Sequence, residues 1–390
     1  MSARYMAAAE QFQPGDFTAI DEAIDLALLE RRIVGAVVLV ARDGTLIYQR
    51  AAGLANRETR RLMTVETPFR FASLSKLFTT MAALKLLEAG ALSADDLVSR
   101  WLPCFAPRTE EGNPAGITVG HLMSHVAGLD YAFQQPADGP YHVMGISDGL
   151  DEATLSLDQN LRRIASVPLD RAPGVTWRYS VATDVLGAVV SAAAGAPLPQ
   201  AMDRLVLRPL KLRASFHWSG DDLAVPYRDG EHGPLLVDTI VDVPLPGIPG
   251  AGVRFDPHRI YRREAFPSGG AGMAGLAMDM LRLLEAYRDG MFLSSALRHA
   301  ARQERVGPEA KTQGPGWGFG WMGSVLIDPA SAQSPLSKGS VSWGGVYGHM
   351  WAIDFERSLS VIALTNTAFE GMLGQFPKHI IAAATQLDPR

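Results

Sequence analysis

At 390 residues, with 47% hydrophobic and 20% charged residues, the chain is long enough for one large domain or two to three ordinary ones and has the composition of a soluble globular protein. A net charge of −5 offers no basic footprint for nucleic acid or an anionic membrane surface. The single cysteine, Cys104, excludes an intrachain disulfide; with no CxxC or Cys/His cluster beside it, a buried structural thiol is expected.

The opening residues, MSARYMAAAEQFQPGDF, hold no apolar core of signal-peptide length. No apolar run approaches the ~18 residues that a spanning helix needs, so no membrane partner and a cytoplasmic location are expected. Phe17 to Arg31 reads as an amphipathic helix with Ile20, Ala23, Ile24, Ala27 and Leu28 on one side. Gly35 to Ala41 is a buried strand, Arg42-Asp43-Gly44 a hairpin turn, and Thr45 to Arg50 the returning strand. No Gly-x-Gly-x-x-Gly or P-loop follows either strand, which leaves a nucleotide fold without support.

Phe71-Ala72-Ser73-Leu74-Ser75-Lys76 opens a helix that runs to about Glu88 and stops at Gly90. Leu74, Leu77, Phe78, Met81, Leu84 and Leu87 give it a predicted core-facing stripe. Ser73 and Lys76 are three apart, on one face one turn apart. Ser73 sits where free N–H groups and the helix dipole favour a developing oxyanion. A serine hydroxyl needs a base to become a nucleophile, and a desolvated lysine one turn along can serve. Only six lysines stand against thirty arginines, and none of the other five has a serine three residues before it. Arginine could not replace Lys76 in this role, because it stays protonated in proteins.

Asp95 to Trp101 is a short helix, Pro103 to Gly116 is irregular, and Thr118 to Ser124 is a helical turn. His121 and His125 are four apart, but no third ligand accompanies them, so structural histidines are expected rather than a metal site. Tyr131 to Gly149 is a long irregular segment and a candidate pocket wall. It contains Gly145-Ile146-Ser147-Asp148-Gly149, which matches the Gly-x-Ser-x-Gly elbow but lacks its strand and helix context. Helices are predicted over Leu155 to Ser166, from after Val181 to Ala194, and over Leu198 to Val206. Asp242 to Gly272 reads as linker and loop, followed by helices over Met278 to Tyr287 and Ser295 to Arg305. Gly316 to Met322, Gly339 to Tyr347, His349 to Phe355 and Ser358 to Thr365 are strands, the last three a meander, and Gly371 to Gln386 is a closing helix. Strands at both ends predict an α+β fold: one antiparallel sheet built from both termini, flanked by helices, with an inserted helical subdomain.

Three motifs stand in order: Ser73-Leu74-Ser75-Lys76, Tyr179-Ser180-Val181 and Trp343-Gly344-Gly345. Between and around them lie Gly120 to Leu129, resembling an HLLTHTSGL segment, Arg208 to Leu212, resembling a PLGM segment, and Ser268 to Gly272. Together they resemble the serine β-lactamase and penicillin-recognising fold, and more closely the family VIII carboxylesterases related to class C β-lactamases. The resemblance implies a β-lactamase-like fold, with an α/β subdomain of residues 1–66 and 251–390, a mainly helical subdomain of residues 67–250, and the active site between them. It implies Ser73 as nucleophile, Lys76 and Tyr179 as the activating base pair, and an oxyanion hole from the N–H groups of Ser73 and Val346. Tyr131, Trp343, Gly344 and Gly345 would contact substrate, with the glycines letting it approach the strand. No cofactor and no metal are implied. Val181 stands where β-lactamases carry Asn and Trp343 where they carry Lys, which favours neutral short-chain esters over β-lactams. A β-lactamase, D-amino peptidase or acyltransferase on the same fold is the alternative, and a non-catalytic ligand-binding relative the alternative of another class.

Overall fold

A computed structural model describes residues 16–152, 154–245 and 252–387. The first fifteen residues of the opening segment and residues 246–251 of the expected linker therefore lie outside the described residues. Helix α1, Thr18–Leu29, precedes strands β1, Gly35–Arg42, β2, Thr45–Asn56, and β3, Arg61–Leu62. Helix α2 is Ser75–Glu88, α3 is Ala182–Ala194 and α4 is Ala277–Asp289. Strands β4, Trp317–Phe319, β5, Ser324–Leu326, β6, Val341–Gly345, β7, His349–Asp354, and β8, Leu359–Thr365, lead to helices α5, Ala368–Leu373, and α6, Gln375–Thr385.

These eight strands form one sheet in the order β4-β5-β6-β7-β8-β1-β2-β3. The N-terminal hairpin joins the C-terminal meander where β1 pairs antiparallel with β8, Val38 opposite Ala363. Along β1, Val37, Leu39 and Ala41 enter the large core shared with the middle of the chain, whereas Ala36, Val38 and Val40 pack with Ile20, Ile24, Phe376 and Ile380 of α1 and α6. Both faces are covered, so this antiparallel strand reads as an unbroken apolar run rather than an alternating one.

Several expectations change. Helix α2 has no solvent side over its first ten residues, because Ser75 to Leu84 are all buried. Apart from Lys76, the residues between its large apolar groups are Ser, Thr and Ala, small enough to be packed from every side. The 242–272 stretch is not only loop: Val241–Pro244 pairs with Gly252–Phe255, burying Val243, Val253 and Phe255. Its proline and glycine content hid a short alternating strand pair. Strand β5 was not expected, and the closing helix is two helices meeting at Gly374, with Pro377 inside the first turn of α6 where its missing N–H costs nothing. Cys104 is exposed rather than buried. The Tyr131 to Gly149 segment contains short helical turns at Ala132–Gln134 and Pro140–Val143. No single helix among the described residues is long and apolar enough to cross a membrane.

Candidate active site

Ser73 lies in a 3₁₀ turn, Ala72–Leu74, that runs directly into α2. Ala72 adopts φ +46°, a left-handed conformation that costs an alanine of order 1 kcal/mol and must be held by its surroundings. The hold is visible on both sides. Phe71 N–H donates to the Met273 carbonyl at 2.8 Å, and Phe69–Arg70 pairs with Ala274–Gly275. His349, buried in β7, donates from Nε2 to the Arg70 carbonyl at 2.7 Å.

The polar residues of α2 then grip the 269–273 segment. Ser75 Oγ accepts from Met273 N–H at 3.0 Å, Thr79 Oγ1 donates to the Gly269 carbonyl at 2.8 Å, and Lys76 Nζ donates to the Gly270 carbonyl at 2.8 Å. Lys76 Nζ also reaches Ser73 Oγ at 3.4 Å. Tyr179 Oη meets the same Ser73 Oγ at 2.7 Å. The Tyr179 ring packs on His125, Tyr131 and Trp343 with centroids 5.0, 5.1 and 5.1 Å away, and Lys76 Nζ lies 4.8 Å from its centroid. Its main chain is fixed by Gln134, whose amide donates to the Tyr179 carbonyl, and by Arg178, paired through two hydrogen bonds with Asp130.

Ser73 and Lys76 are nearly buried, at 8% and 7% exposure, and Tyr179 is half-buried. Burial, and then the charge of Lys76, hold the His125 imidazole well below its ordinary range, so it faces the lysine as a neutral ring. Burial raises the Asp184 carboxyl, opposed by the Ser268 hydroxyl, by Lys76 and by the Gly270 N–H. A cleft of about 320 Å³ opens at Ser73 and Lys76, walled by His125, Phe319, Trp321 and Trp343. A second cleft of about 390 Å³, walled by Arg70, Phe216, Asp256, Arg259, Phe266 and Tyr347, contains none of Ser73, Lys76 and Tyr179. Chemistry rather than size singles out the first.

The remaining expected residues divide. Strand β6 pairs with β5 only at Val341 and Ser342, so among the described residues the edge of Trp343 to Gly345 on that side has no partner strand. Val346 follows in the β6–β7 turn, at 8% exposure. The two glycines serve the protein's own packing. A Cβ on Gly345 would sit 2.6 Å from the Phe71 carbonyl oxygen and 2.8 Å from Leu74 Cδ1, and one on Gly344 would sit 2.7 Å from Met372 Cγ. Tyr131 is 2% exposed and stacks on Phe133, so it backs Tyr179 instead of lining the cleft. Val181 is wholly buried.

Ser147 is wholly buried and donates to Asp151 Oδ1 at 2.5 Å, away from the Ser73 cleft. His121 caps the Val119–Met123 turn while His125 lies beyond that turn at φ +53°, so the pair shares no helix face. Lys311 and Lys338 are surface residues. Sequence reasoning missed Gly270, Asp184 and His125 as parts of the site. Ser268 to Gly272 carried the signal for Gly270, but as a family segment without a role.

The Beta-lactamase family profile matches residues 9–386. The chain is similar to Esterase EstB of Burkholderia gladioli, with 49% identity over 358 residues that cover 91% of each chain. Among solved structures it is similar to EstCE1, described as a hydrolase with promiscuous acyltransferase activity, at a TM-score of 0.93 and 46% identity over 94% of this chain and 98% of that one. Simvastatin synthase (LovD) of Aspergillus terreus, unliganded, shares the fold at a TM-score of 0.72 and 22% identity, covering 95% of this chain and 98% of its own.

Proposed function

The chain belongs to the beta-lactamase family, and on that premise we propose that it is a serine carboxylesterase of the family VIII type, hydrolysing neutral short-chain acyl esters through an acyl-enzyme on Ser73. The observation that carries this reading is the convergence of Tyr179 Oη, at 2.7 Å, and Lys76 Nζ, at 3.4 Å, on one serine hydroxyl. Ser73 Oγ attacks the ester carbonyl while Tyr179, as phenolate or through a proton shared with Lys76, takes the serine proton. The carbonyl oxygen becomes an oxyanion between the N–H groups of Ser73 and Val346. Collapse breaks the ester C–O bond, and Tyr179 returns the proton to the departing alcohol. Water then adds to the acyl-enzyme, gives its proton to Tyr179, and the acid leaves as Ser73 regains its hydrogen. The division into residues 1–66 with 251–390 and residues 67–250, with the site between, belongs to the same reading, as do small-molecule esters as the partners. A cytoplasmic location suits a chain whose one cysteine is exposed and unpaired.

Trp343 offers no cation to a β-lactam carboxylate and the buried Val181 no hydrogen bond to its amide, and leaving such groups unpaired costs a few kcal/mol. That is about two powers of ten in rate. The test compares kcat/KM for p-nitrophenyl acetate and butyrate with that for nitrocefin, in the parent, Ser73→Ala and Ser147→Ala. The esters should lead by about a hundredfold, Ser73→Ala should lose roughly 10³-fold or more of kcat, and Ser147→Ala should stay active. Equal rates on nitrocefin would restore the β-lactamase reading; a dead Ser147→Ala with a live Ser73→Ala would remove the mechanism. Acyl transfer is the second reading, favoured by the likeness to EstCE1. Adding an alcohol to the same assay and separating new ester from free acid measures it.

A further inference from the structure

The proposed cycle leaves one buried carboxylate beside the lysine without a task. Asp184 sits in the first turn of α3, five residues after Tyr179, and is 1% exposed. Its Oδ1 accepts from Ser268 Oγ at 2.6 Å and from Gly270 N–H at 3.3 Å. The carbonyl of that same Gly270 accepts from Lys76 Nζ at 2.8 Å. Asp184 Oδ2 has no hydrogen-bond partner among the described residues. A Cβ on Gly270 would lie 2.7 Å from that oxygen and 3.4 Å from Lys76 Nζ, so one backbone residue without a side chain is all that separates the carboxylate from the amine. A buried carboxylate with one oxygen unpaired is costly unless a charge nearby compensates it. The charged and titratable groups facing it are Lys76 from α2, Arg259, Asp148 and Tyr131.

We infer that Asp184 is a positioning residue for Lys76. Its ionised carboxylate clamps the Ser268–Gly270 turn, so that the Gly270 carbonyl holds the amine at Ser73, and it supplies the buried counter-charge for the ammonium. This rests on the Ser73–Lys76–Tyr179 reading. The two are kept apart by phosphonate labelling of Ser73 in the parent, which fails if that reading fails and persists if only the role of Asp184 is wrong.

The sign of the pH effect follows from the contacts. The Ser268 hydroxyl, Lys76 and the Gly270 N–H each hold the Asp184 carboxyl down against burial. Activity that needs the ionised form is lost as pH falls through the carboxyl's folded value. Removing the Ser268 hydroxyl moves that loss to higher pH. Asp184→Asn keeps an acceptor for Ser268 and Gly270 but removes the charge. We expect it to lower kcat roughly tenfold or more on p-nitrophenyl butyrate, with KM little changed and the acid limb of the kcat profile altered. Ser268→Ala should move the acid limb to higher pH by about half a unit or more. Parent-like kcat and acid limb in folded Asp184→Asn would overturn the proposal. So would an acid limb that stays put, or moves to lower pH, in Ser268→Ala. If Asp184→Asn does not fold, Ser268→Ala decides alone.

Discussion

Lys76 is the residue on which the proposed chemistry turns, and its surroundings are tight. Its amine is enclosed by Ser73 Oγ, the Gly270 carbonyl and the faces of Tyr131 and Tyr179, 5.3 and 4.8 Å to their centroids. A planar guanidinium cannot take the place of a compact ammonium in that space, and it cannot give up a proton. Lys76→Arg should therefore be as inactive as Lys76→Ala, each losing about 10³-fold in kcat. Turnover of p-nitrophenyl butyrate by purified, folded variants measures this; near-normal rates in Lys76→Arg would mean that fixed charge alone suffices. The meeting of Ser73 and Lys76 was legible because a three-residue spacing on a helix is local information. Tyr179 and Val346 became legible only through the order of motifs in the resembled family. Asp184 and Gly270 were not, because they meet across 86 residues of chain and nothing in either neighbourhood records the meeting. The same holds for Tyr131, whose aromatic character reads equally as a cleft wall or as packing behind Tyr179.

At the scale of elements, the proposed site is the junction of the α2 N-terminus with the end of β6. Sequence patterning found both elements but misjudged how they fit. The predicted stripe on α2 assumed a solvent face, and a helix buried all round leaves no such contrast when its small residues are Ser, Thr and Ala. The glycines of Trp343-Gly344-Gly345 looked like room for substrate, whereas Gly345 is room for the helix. A methyl group there would press on the Phe71 carbonyl and Leu74 and drive the strand from the turn that carries Ser73. Gly345→Ala should cost about 1–3 kcal/mol of stability as overpacking does. If Val346 N–H is the oxyanion donor proposed above, displacing the strand should also lower kcat by roughly tenfold or more, as loss of such a donor does. Thermal melts and kcat on one preparation test it. Parent-like kcat despite a lowered Tm would show that the Phe71–Gly345 approach serves packing alone.

At the scale of the whole molecule, the sheet from both termini was legible because its central strands, β1, β7 and β8, are apolar runs of six to eight residues close in sequence to a neighbour at each end. The buried charges that the long middle segments bring together were not. Asp148 is the strongest case. It is 7% exposed, and burial first, then the charge of Asp151, pushes its carboxyl up to about 7, against the opposing Leu150 N–H and Arg259. A folded value above the unfolded one means that the native state holds the proton longer. The contribution of this group is thus fully present below its unfolded value of 3.8 and is lost as pH rises to about 7. His349 has the opposite sign. Burial pushes its imidazole down to about 4, so its contribution is present above 6.5 and is lost as pH falls from there to about 4. Between pH 4 and 6.5 the two slopes oppose each other and flatten the parent's stability curve. Asp148→Asn keeps an acceptor for Leu150 N–H and stays neutral at every pH. It should change Tm little near pH 4 and raise stability at pH 8 by roughly 1–3 kcal/mol. It should also make the acid side of the curve steeper, because His349 is then less opposed. Tm measured from pH 4 to 8 in both proteins gives the difference directly. A gain that is largest at pH 4, or absent at pH 8, would show that Asp148 is ionised in the folded protein throughout and that the middle segment carries its charge without penalty.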